Sequence, residues 1–287
     1  MAHYLVGKGF QVRVIDNFMR ASPETLQSFS PDIEIRRVDV RDFDSLVRFL
    51  DVDVVFHFAA LTDVVESESE RSLYRSINIE GTRNVLEAAL RYGAKVVFAS
   101  SAAVYGELNR PARESDEPSP ISFYGVTKLE GENLCMEYFR KGLETIILRF
   151  FNVFGERARG GVVRIFLEKG LRGEPLVIYG DGEAVRDFIY VGDVVEAAFK
   201  AFEEKSASGR IFNVGSGKPV KVIELAKLVS KLTGAEIIHK PPRSGEIGFS
   251  LADISLIRRT LGWSPVVSVF EWIEEKIKGK LHQTNKS

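Results

Sequence analysis

The sequence of 287 residues has a single cysteine, Cys135, and only four histidines. One cysteine cannot form an internal disulfide, and the histidines lack the spacing of a zinc site, so we predict neither a disulfide scaffold nor a metal centre. An excess of positive charge is also missing, because 39 basic and 40 acidic residues give a net charge of −1. The charge therefore gives no support for nucleic-acid binding.

Long hydrophobic runs are absent as well. The apolar stretch from Val52 to Leu61 is short and contains Asp53 and His57, which makes it unsuitable for crossing a bilayer. The first residues lack the charged, apolar and small-residue succession of a signal peptide. These absences predict a cytoplasmic protein with no membrane partner.

Short β-rich runs alternate with helical patterns over roughly residues 1–150. The runs Val52–Phe58 and Lys95–Ala99 are apolar on both faces, as a parallel sheet that is covered on both sides requires. Helical patterns such as Phe123–Arg140 lie between the runs. The alternation predicts an α/β protein with a Rossmann-like, doubly wound parallel sheet. Frequent glycines after Gly155 predict a smaller C-terminal α/β domain.

The glycine-rich turn that opens such a sheet is missing. A phosphate-binding turn follows the first strand and begins a helix, whereas Gly7 and Gly9 precede the strand-like run Gln11–Ile15. We interpret these glycines as the end of a helix over Ala2–Val6. The first strand, which would occupy the middle of the sheet, and its turn are therefore expected to be missing, as in an N-terminally truncated chain.

Tyr124 and Lys128 give the sharpest chemical signal. Their spacing places both side chains one turn apart on one helix face. A phenol with a pKa of ~10 is a poor base at neutral pH, but a neighbouring ammonium and an oxidised nicotinamide would lower that pKa. Ser101 follows a strand and could bridge a substrate hydroxyl to Tyr124. The alternative is a chance pair on a surface helix.

Acidic residues after two strands are candidates for cofactor binding. Asp16 ends the second strand of the expected sheet, where a carboxylate can accept hydrogen bonds from ribose hydroxyls and favours NAD over NADP. Asp39 and Val40 follow the next strand, at the expected adenine pocket. For both sites the alternative is an ordinary polar turn.

The chain resembles the extended short-chain dehydrogenase/reductases, and among them most of all the UDP-glucose 4-epimerases. The matching segments occur in family order over nearly the whole chain; they are VIDNF, VFHFAALTDV, NIEGTRNVLEAA, VVFASSAAVYGE, SFYGVTKLEGE, LRFFNVFGER, RGEPLVIYGDGEAVRDFIYVGDVVEA, FNVGSG and LADISLIRRTLGW. The family pattern begins with a strand and GxxGxxG, which this sequence lacks.

The resemblance implies a role for each matching position. The catalytic trio is Ser101, Tyr124 and Lys128. The implied contacts to NAD are made by Asp16, Asn17, Asp39, Val40, Phe58, Ala59, Ala60, Asn78, Tyr124, Lys128 and Phe150. The implied contacts to the UDP-sugar are made by Ser101, Asn152, Arg186, Arg243 and Ser250.

Ser250 matches a position that lies beside the sugar C2 substituent in the resembling epimerases. A small residue there leaves room for an N-acetyl group, whereas a bulky one excludes it. The alternative is a shift by one residue that places Phe249 at this position.

The resemblance also implies a division of labour along the chain. Residues 1–152 would bind NAD, and residues 153–287 would mainly bind the UDP-sugar, with residues 191–214 returning to the first domain. Sugar-nucleotide dehydratases of the same family carry Asp-Glu after the catalytic hydroxyl residue, where this chain has Ala102 and Ala103. Because a methyl group cannot donate a proton, dehydration is disfavoured.

The function that the resemblance implies is the interconversion of UDP-hexose C4 epimers by transient oxidation with bound NAD. UDP-glucose and UDP-galactose are the expected pair, with their N-acetyl forms as further substrates, in galactose metabolism and in a homodimer. One alternative is a UDP-glucuronate epimerase or decarboxylase. The other is a truncated chain that binds nucleotide sugars without catalysis.

Overall fold

The computed structural model describes residues 1–21, 27–242 and 247–284. The chain divides into two compact units. The first comprises Met1–Val104, Ser122–Leu148 and Ala201–Ile211, and the second comprises Tyr105–Ile121, Arg149–Lys200 and Phe212–Ser287. The assignment of NAD binding to residues 1–152 and of sugar binding mainly to 153–287 stays a prediction. Among the described helices, none is long and apolar enough to cross a membrane.

Strands and helices alternate along much of the chain. The strands are β1 (Val12–Asp16), β2 (Ile33–Arg37), β3 (Val54–His57), β4 (Lys95–Ser101), β5 (Thr145–Phe150), β6 (Asn152–Phe154), β7 (Leu176–Tyr179), β8 (Val185–Tyr190), β9 (Ile211–Val214), β10 (Pro219–Lys221), β11 (Ile237–Lys240) and β12 (Phe249–Ser250). The α-helices are Ala2–Gly7, Phe43–Val47, Val64–Ser69, Arg71–Tyr74, Gly81–Tyr92, Phe123–Arg140, Val162–Leu171, Val191–Glu203, Val222–Thr233, Ser255–Leu261 and Val269–Thr284. A π-helical segment, Arg75–Glu80, precedes the helix Gly81–Tyr92.

Six of the described strands form two separate sheets. β1 and β2 form a two-stranded parallel sheet, in register from Val12 with Ile33 to Asp16 with Arg37. A second sheet has the order β3-β4-β5-β9, in which β3 and β4 are parallel. Across the described residues no strand joins β1 to β3. The missing first strand stays a prediction.

The first glycines of the chain end a helix, as predicted. The helix Ala2–Gly7 is capped at Lys8, and Gly9 has a φ of 85°, in the left-handed region that favours glycine. β1 begins at Val12. Gly7 and Gly9 therefore lie before a strand and do not open a helix.

The helix Phe123–Arg140 has the bounds predicted from the sequence. Ser122 caps its first turn by accepting a hydrogen bond from the Gly125 amide, as N-cap serines do. A Cβ atom at Gly131 would lie 2.4 Å from Cζ of Phe98, so glycine allows the helix to approach β4 closely. Apolar residues of this helix, the helix Gly81–Tyr92 and the strands form one buried cluster, which includes Leu86, Phe98, Leu134 and Ile147.

The second unit is built around β8. This strand pairs antiparallel with β10 and parallel with β12 and β6, while β7 and β11 form a separate parallel pair. The helices Val162–Leu171, Val222–Thr233 and Val269–Thr284 contribute to its core, which contains Phe166, Ile178, Leu225, Trp272 and other buried apolar residues.

Candidate active site

The structure brings the predicted catalytic trio together in the first unit. Tyr124 and Lys128 are buried, and both lie on the helix Phe123–Arg140. Ser101 ends β4 and hydrogen-bonds with Tyr124. The Lys128 Nζ donates a hydrogen bond to the Ala99 carbonyl oxygen at 2.8 Å and lies 6.0 Å from the centroid of the Tyr124 ring.

Burial sets the electrostatics of this trio. It raises the pKa of the Tyr124 phenol, whereas the hydrogen bond with Ser101 lowers it. Burial also lowers the pKa of Lys128 to about 8, against the charge of Glu132, which raises it. Lys128 is therefore mostly an ammonium at neutral pH. Because a positive charge stabilises a nearby phenolate, the arrangement can make Tyr124 a proton acceptor.

Asn78 connects the loop after β3 to the helix Phe123–Arg140 by hydrogen bonds. Its side-chain Nδ2 donates hydrogen bonds to the Leu61 carbonyl at 2.9 Å and to the Thr127 hydroxyl at 3.0 Å. Its Oδ1 accepts a hydrogen bond from the Leu61 amide at 2.8 Å. The amide of Asn78 thus bonds to the protein itself, and we interpret Asn78 as a residue that positions this loop.

The loop that follows β3 presents exposed groups. Phe58 is 41% exposed, Ala59 is exposed and Ala60 is half-buried. All three lie directly after the carboxyl end of a parallel strand, where dinucleotides bind in doubly wound sheets. Their placement fits the predicted contact with NAD.

Two other predicted cofactor residues meet at the ends of β1 and β2. Asn17 Nδ2 donates a hydrogen bond to Asp39 Oδ2 at 2.8 Å. Hydrogen bonds from Arg41 hold the pKa of Asp39 far below its usual range, so Asp39 is a carboxylate at neutral pH. Val40 is buried beside it. Asp16 is exposed at the end of β1, and its Oδ1 accepts a hydrogen bond from the Phe18 amide at 2.6 Å.

The second unit gathers three of the predicted sugar-nucleotide residues in one sheet. Ser250 of β12 is the register partner of Arg186 in β8, and Asn152 of β6 is the partner of Phe188. Register partners in parallel strands share a face, and side chains along a strand alternate between faces. Asn152, Arg186 and Ser250 therefore lie on the same face.

Two further predicted residues remain. Phe150 ends β5. Arg243 lies outside the described residues. The roles of all these positions stay predictions.

Asp187 is a buried residue that holds several segments of the second unit together, and the sequence does not single it out. Its carboxylate accepts hydrogen bonds from the Ser216 amide and hydroxyl, the Gly217 amide and the Ala252 amide. Burial raises its pKa, and these hydrogen bonds lower it. Asp187 thus fixes the segments after β9 and β12 to β8, and its only sequence signal is its place next to Arg186.

Comparison with known proteins identifies the class to which this site belongs. Residues 1–215 match the model of the NAD dependent epimerase/dehydratase family. Because the match covers more than half of the chain, the chain belongs to this family. It is an enzyme family that uses NAD, and its Rossmann-like fold agrees with the parallel sheets described above.

Individual relatives carry several related activities. A putative UDP-glucose 4-epimerase of Methanocaldococcus jannaschii is 37% identical over 95% of this chain and 91% of its own length. A UDP-N-acetyl-alpha-D-glucosaminuronate decarboxylase of Bacillus cytotoxicus is 33% identical over 97% of this chain and 92% of its own. The crystal structure of the UDP-glucose 4-epimerase of Thermotoga maritima with UDP-glucose superposes with a TM-score of 0.91 at 34% identity, covering 98% of this chain and 94% of that one.

Proposed function

We propose that this protein interconverts the C4 epimers of UDP-hexoses, UDP-glucose and UDP-galactose, by transient oxidation at C4. The observation that carries the proposal is the buried pair of Tyr124 and Lys128 on one helix face, with Ser101 hydrogen-bonded to Tyr124. The similarity to a putative and to a crystallised UDP-glucose 4-epimerase supports it.

In the proposed reaction Tyr124 takes the proton of the sugar C4 hydroxyl, and Ser101 orients that hydroxyl by hydrogen bonding. The C4–H bond breaks at the same step, which leaves a 4-keto sugar. Lys128 contributes a positive charge 6.0 Å from the centroid of the Tyr124 ring, and such a charge stabilises a phenolate. Tyr124 returns the proton after the sugar has turned, so that the opposite C4 epimer forms.

Bound NAD would supply the acceptor for the C4 hydride and the source from which it returns. The residues that would hold its adenosine are Asp16, Asn17, Asp39 and Val40, at the ends of β1 and β2. Phe58, Ala59 and Ala60, after β3, would lie along the cofactor. The sequence has no GxxGxxG turn for the pyrophosphate.

The residues that follow Ser101 argue against dehydration. Ala102 and Ala103 lie in a short helical turn directly after β4, at the positions where dehydratases carry an acid. Neither side chain can protonate a leaving hydroxyl group. We therefore expect oxidation and reduction at the sugar ring without loss of water.

A UDP-glucuronate epimerase or decarboxylase is the second candidate, favoured by the similarity to a uronate decarboxylase. The purified chain with NAD should be incubated separately with UDP-glucose and UDP-glucuronate, and the products identified by NMR. Formation of UDP-galactose supports the first proposal. If UDP-glucuronate loses its carboxylate carbon or epimerises while UDP-glucose stays unchanged, the second candidate is supported. NAD binding without any product would support a non-catalytic chain.

The size of the residue at position 250 offers a test of sugar specificity. Ser250 is half-buried at the end of β12, and its small side chain is expected to leave room for an N-acetyl group at C2. Ser250→Tyr should abolish conversion of UDP-N-acetylglucosamine and spare that of UDP-glucose, since steric exclusion acts on the larger substrate. A wild-type chain that converts UDP-glucose but not UDP-N-acetylglucosamine would refute this assignment.

A further inference from the structure

The helix Phe123–Arg140 contacts the end of β4 through three of its own residues, which are spaced four apart. Lys128 Nζ donates a hydrogen bond to the Ala99 carbonyl, the Ser100 hydroxyl donates one to Glu132 Oε1 at 2.5 Å, and Tyr124 hydrogen-bonds with Ser101. Residues four apart share a helix face. Three consecutive strand residues are thus joined to three successive turns of the helix.

Glu132 is the one member of this face without a role in the proposed reaction. Its side chain is buried, with 3% of the residue exposed, and it lies one turn beyond Lys128. A buried carboxylate is costly unless hydrogen bonds and an opposite charge compensate for it. Ser100 supplies a hydrogen bond, and Lys128, one turn away on the same helix face, supplies the opposite charge.

We propose that Glu132 is a positioning residue that keeps Lys128 protonated, and with it the positive charge beside Tyr124. The role in catalysis rests on the function proposed above, whereas the effect on Lys128 does not. Burial favours the neutral amine of Lys128, and the charge of Glu132 opposes this effect. If a neutral residue replaced Glu132 while Tyr124 and Lys128 were kept, a smaller fraction of Lys128 would be protonated at neutral pH.

The other titratable groups around Lys128 are neutral at that pH. His57 faces it from β3, where burial and the charge of Lys128 lower the His57 pKa to about 3. Cys135 faces it from the same helix, and burial raises the pKa of its thiol. In the chain without cofactor Tyr124 is a neutral phenol, because burial raises its pKa. The aromatic ring of Phe98 lies 5.2 Å from Nζ and carries no charge.

Glu132→Gln tests the proposal because glutamine has nearly the same shape and keeps an oxygen that can accept the Ser100 hydrogen bond. Only the negative charge is lost. Glu130→Gln is the matched control, since Glu130 lies on the exposed face of the same helix. Ser100→Ala is the second variant: it removes the hydrogen bond and keeps the charge.

The measurement is an NMR titration of His57 in the full chain without added cofactor. The charge of Lys128 acts on His57, so the imidazole resonance should record the titration of Lys128 near pH 8. A His57→Asn variant assigns the resonance, and Lys128→Met should remove the transition. In Glu132→Gln we expect the acid dissociation constant of Lys128 to rise about tenfold. The Lys128 transition should therefore move about one pH unit lower. Glu130→Gln should match the wild type, and Ser100→Ala should shift the transition less than Glu132→Gln does.

The pH dependence of epimerisation is the second readout. Lys128 must be protonated, so activity is present below its pKa and is lost as the pH rises through it. Glu132→Gln should move this loss to lower pH. An unchanged Lys128 titration in Glu132→Gln, or an equal loss of activity at every pH, would overturn the proposal. If the wild type epimerises nothing, the proposed function fails, and the NMR titration still decides the role of Glu132.

Discussion

Two largely apolar strands of the first unit have different surroundings. β4 lies between β3 and β5, and five of its seven residues are buried. β1 pairs with β2, and none of its five residues is fully buried. Both strands consist largely of β-branched and other apolar residues. Burial of a parallel strand therefore depends on its neighbours as much as on its own side chains.

The difference separates two kinds of candidate site. Ser101, Tyr124 and Lys128 lie on β4 and on the helix packed against it, which we call the buried part. Each group there is fixed by its packing and hydrogen bonds. Asp16 ends β1, which we call the half-buried part, and is exposed to solvent. The predicted catalytic groups are therefore fixed by buried contacts, whereas Asp16 is accessible from solvent.

The largest effect is expected from Tyr124→Phe in the buried part. The variant keeps the ring and its packing but loses the proton acceptor, so turnover should fall by at least ~10²-fold, the range of general acid–base catalysis. Binding of NAD should be retained, which is measured from the nucleotide that the denatured protein releases. Tyr92→Phe, at an exposed helix end, is the control. Turnover near that of the wild type in Tyr124→Phe would make Tyr124 a structural residue.

A smaller effect distinguishes the two parts by stability. Ile147 in β5 is fully buried, whereas Ile15 in β1 is half-buried. Ile147→Ala should lower the free energy of unfolding by about 2–5 kcal/mol, the usual cost of a cavity, and Ile15→Ala by less than about 2 kcal/mol. Urea unfolding curves of both variants test this. Equal losses would show that β1 is packed as tightly as β5.

Strands and long helices were predictable where local pattern decides the structure. The helix Phe123–Arg140 has the predicted bounds because Ser122 caps it and apolar residues recur on one face. The helix Phe43–Val47 begins after Asp42, whose side chain accepts a hydrogen bond from the Ser45 amide, as N-cap aspartates do. The π-helical segment Arg75–Glu80 was not predicted, because an apolar stripe does not distinguish it from the first turns of an α-helix.

The candidate site was predictable only in part. The spacing of Tyr124 and Lys128 indicates one helix face, and the structure places Ser101 beside Tyr124. Glu132 was missed because a glutamate in the segment KLEGE is typical of a solvated helix face. Its signal is the spacing of four after Lys128, but the burial of its carboxylate depends on β4, which lies about thirty residues earlier in the chain. Partners so distant in sequence leave no local pattern.

The central claim is that hydride leaves and returns at C4 of the same sugar while Tyr124 carries the proton. The most direct measurement uses UDP-glucose that carries deuterium at C4, incubated with the chain and NAD, with UDP-galactose analysed by mass spectrometry and NMR. The proposed reaction predicts that UDP-galactose forms and keeps the deuterium at C4, because the same hydride is returned. Loss of the deuterium to solvent, or no UDP-galactose with NAD bound, would contradict it.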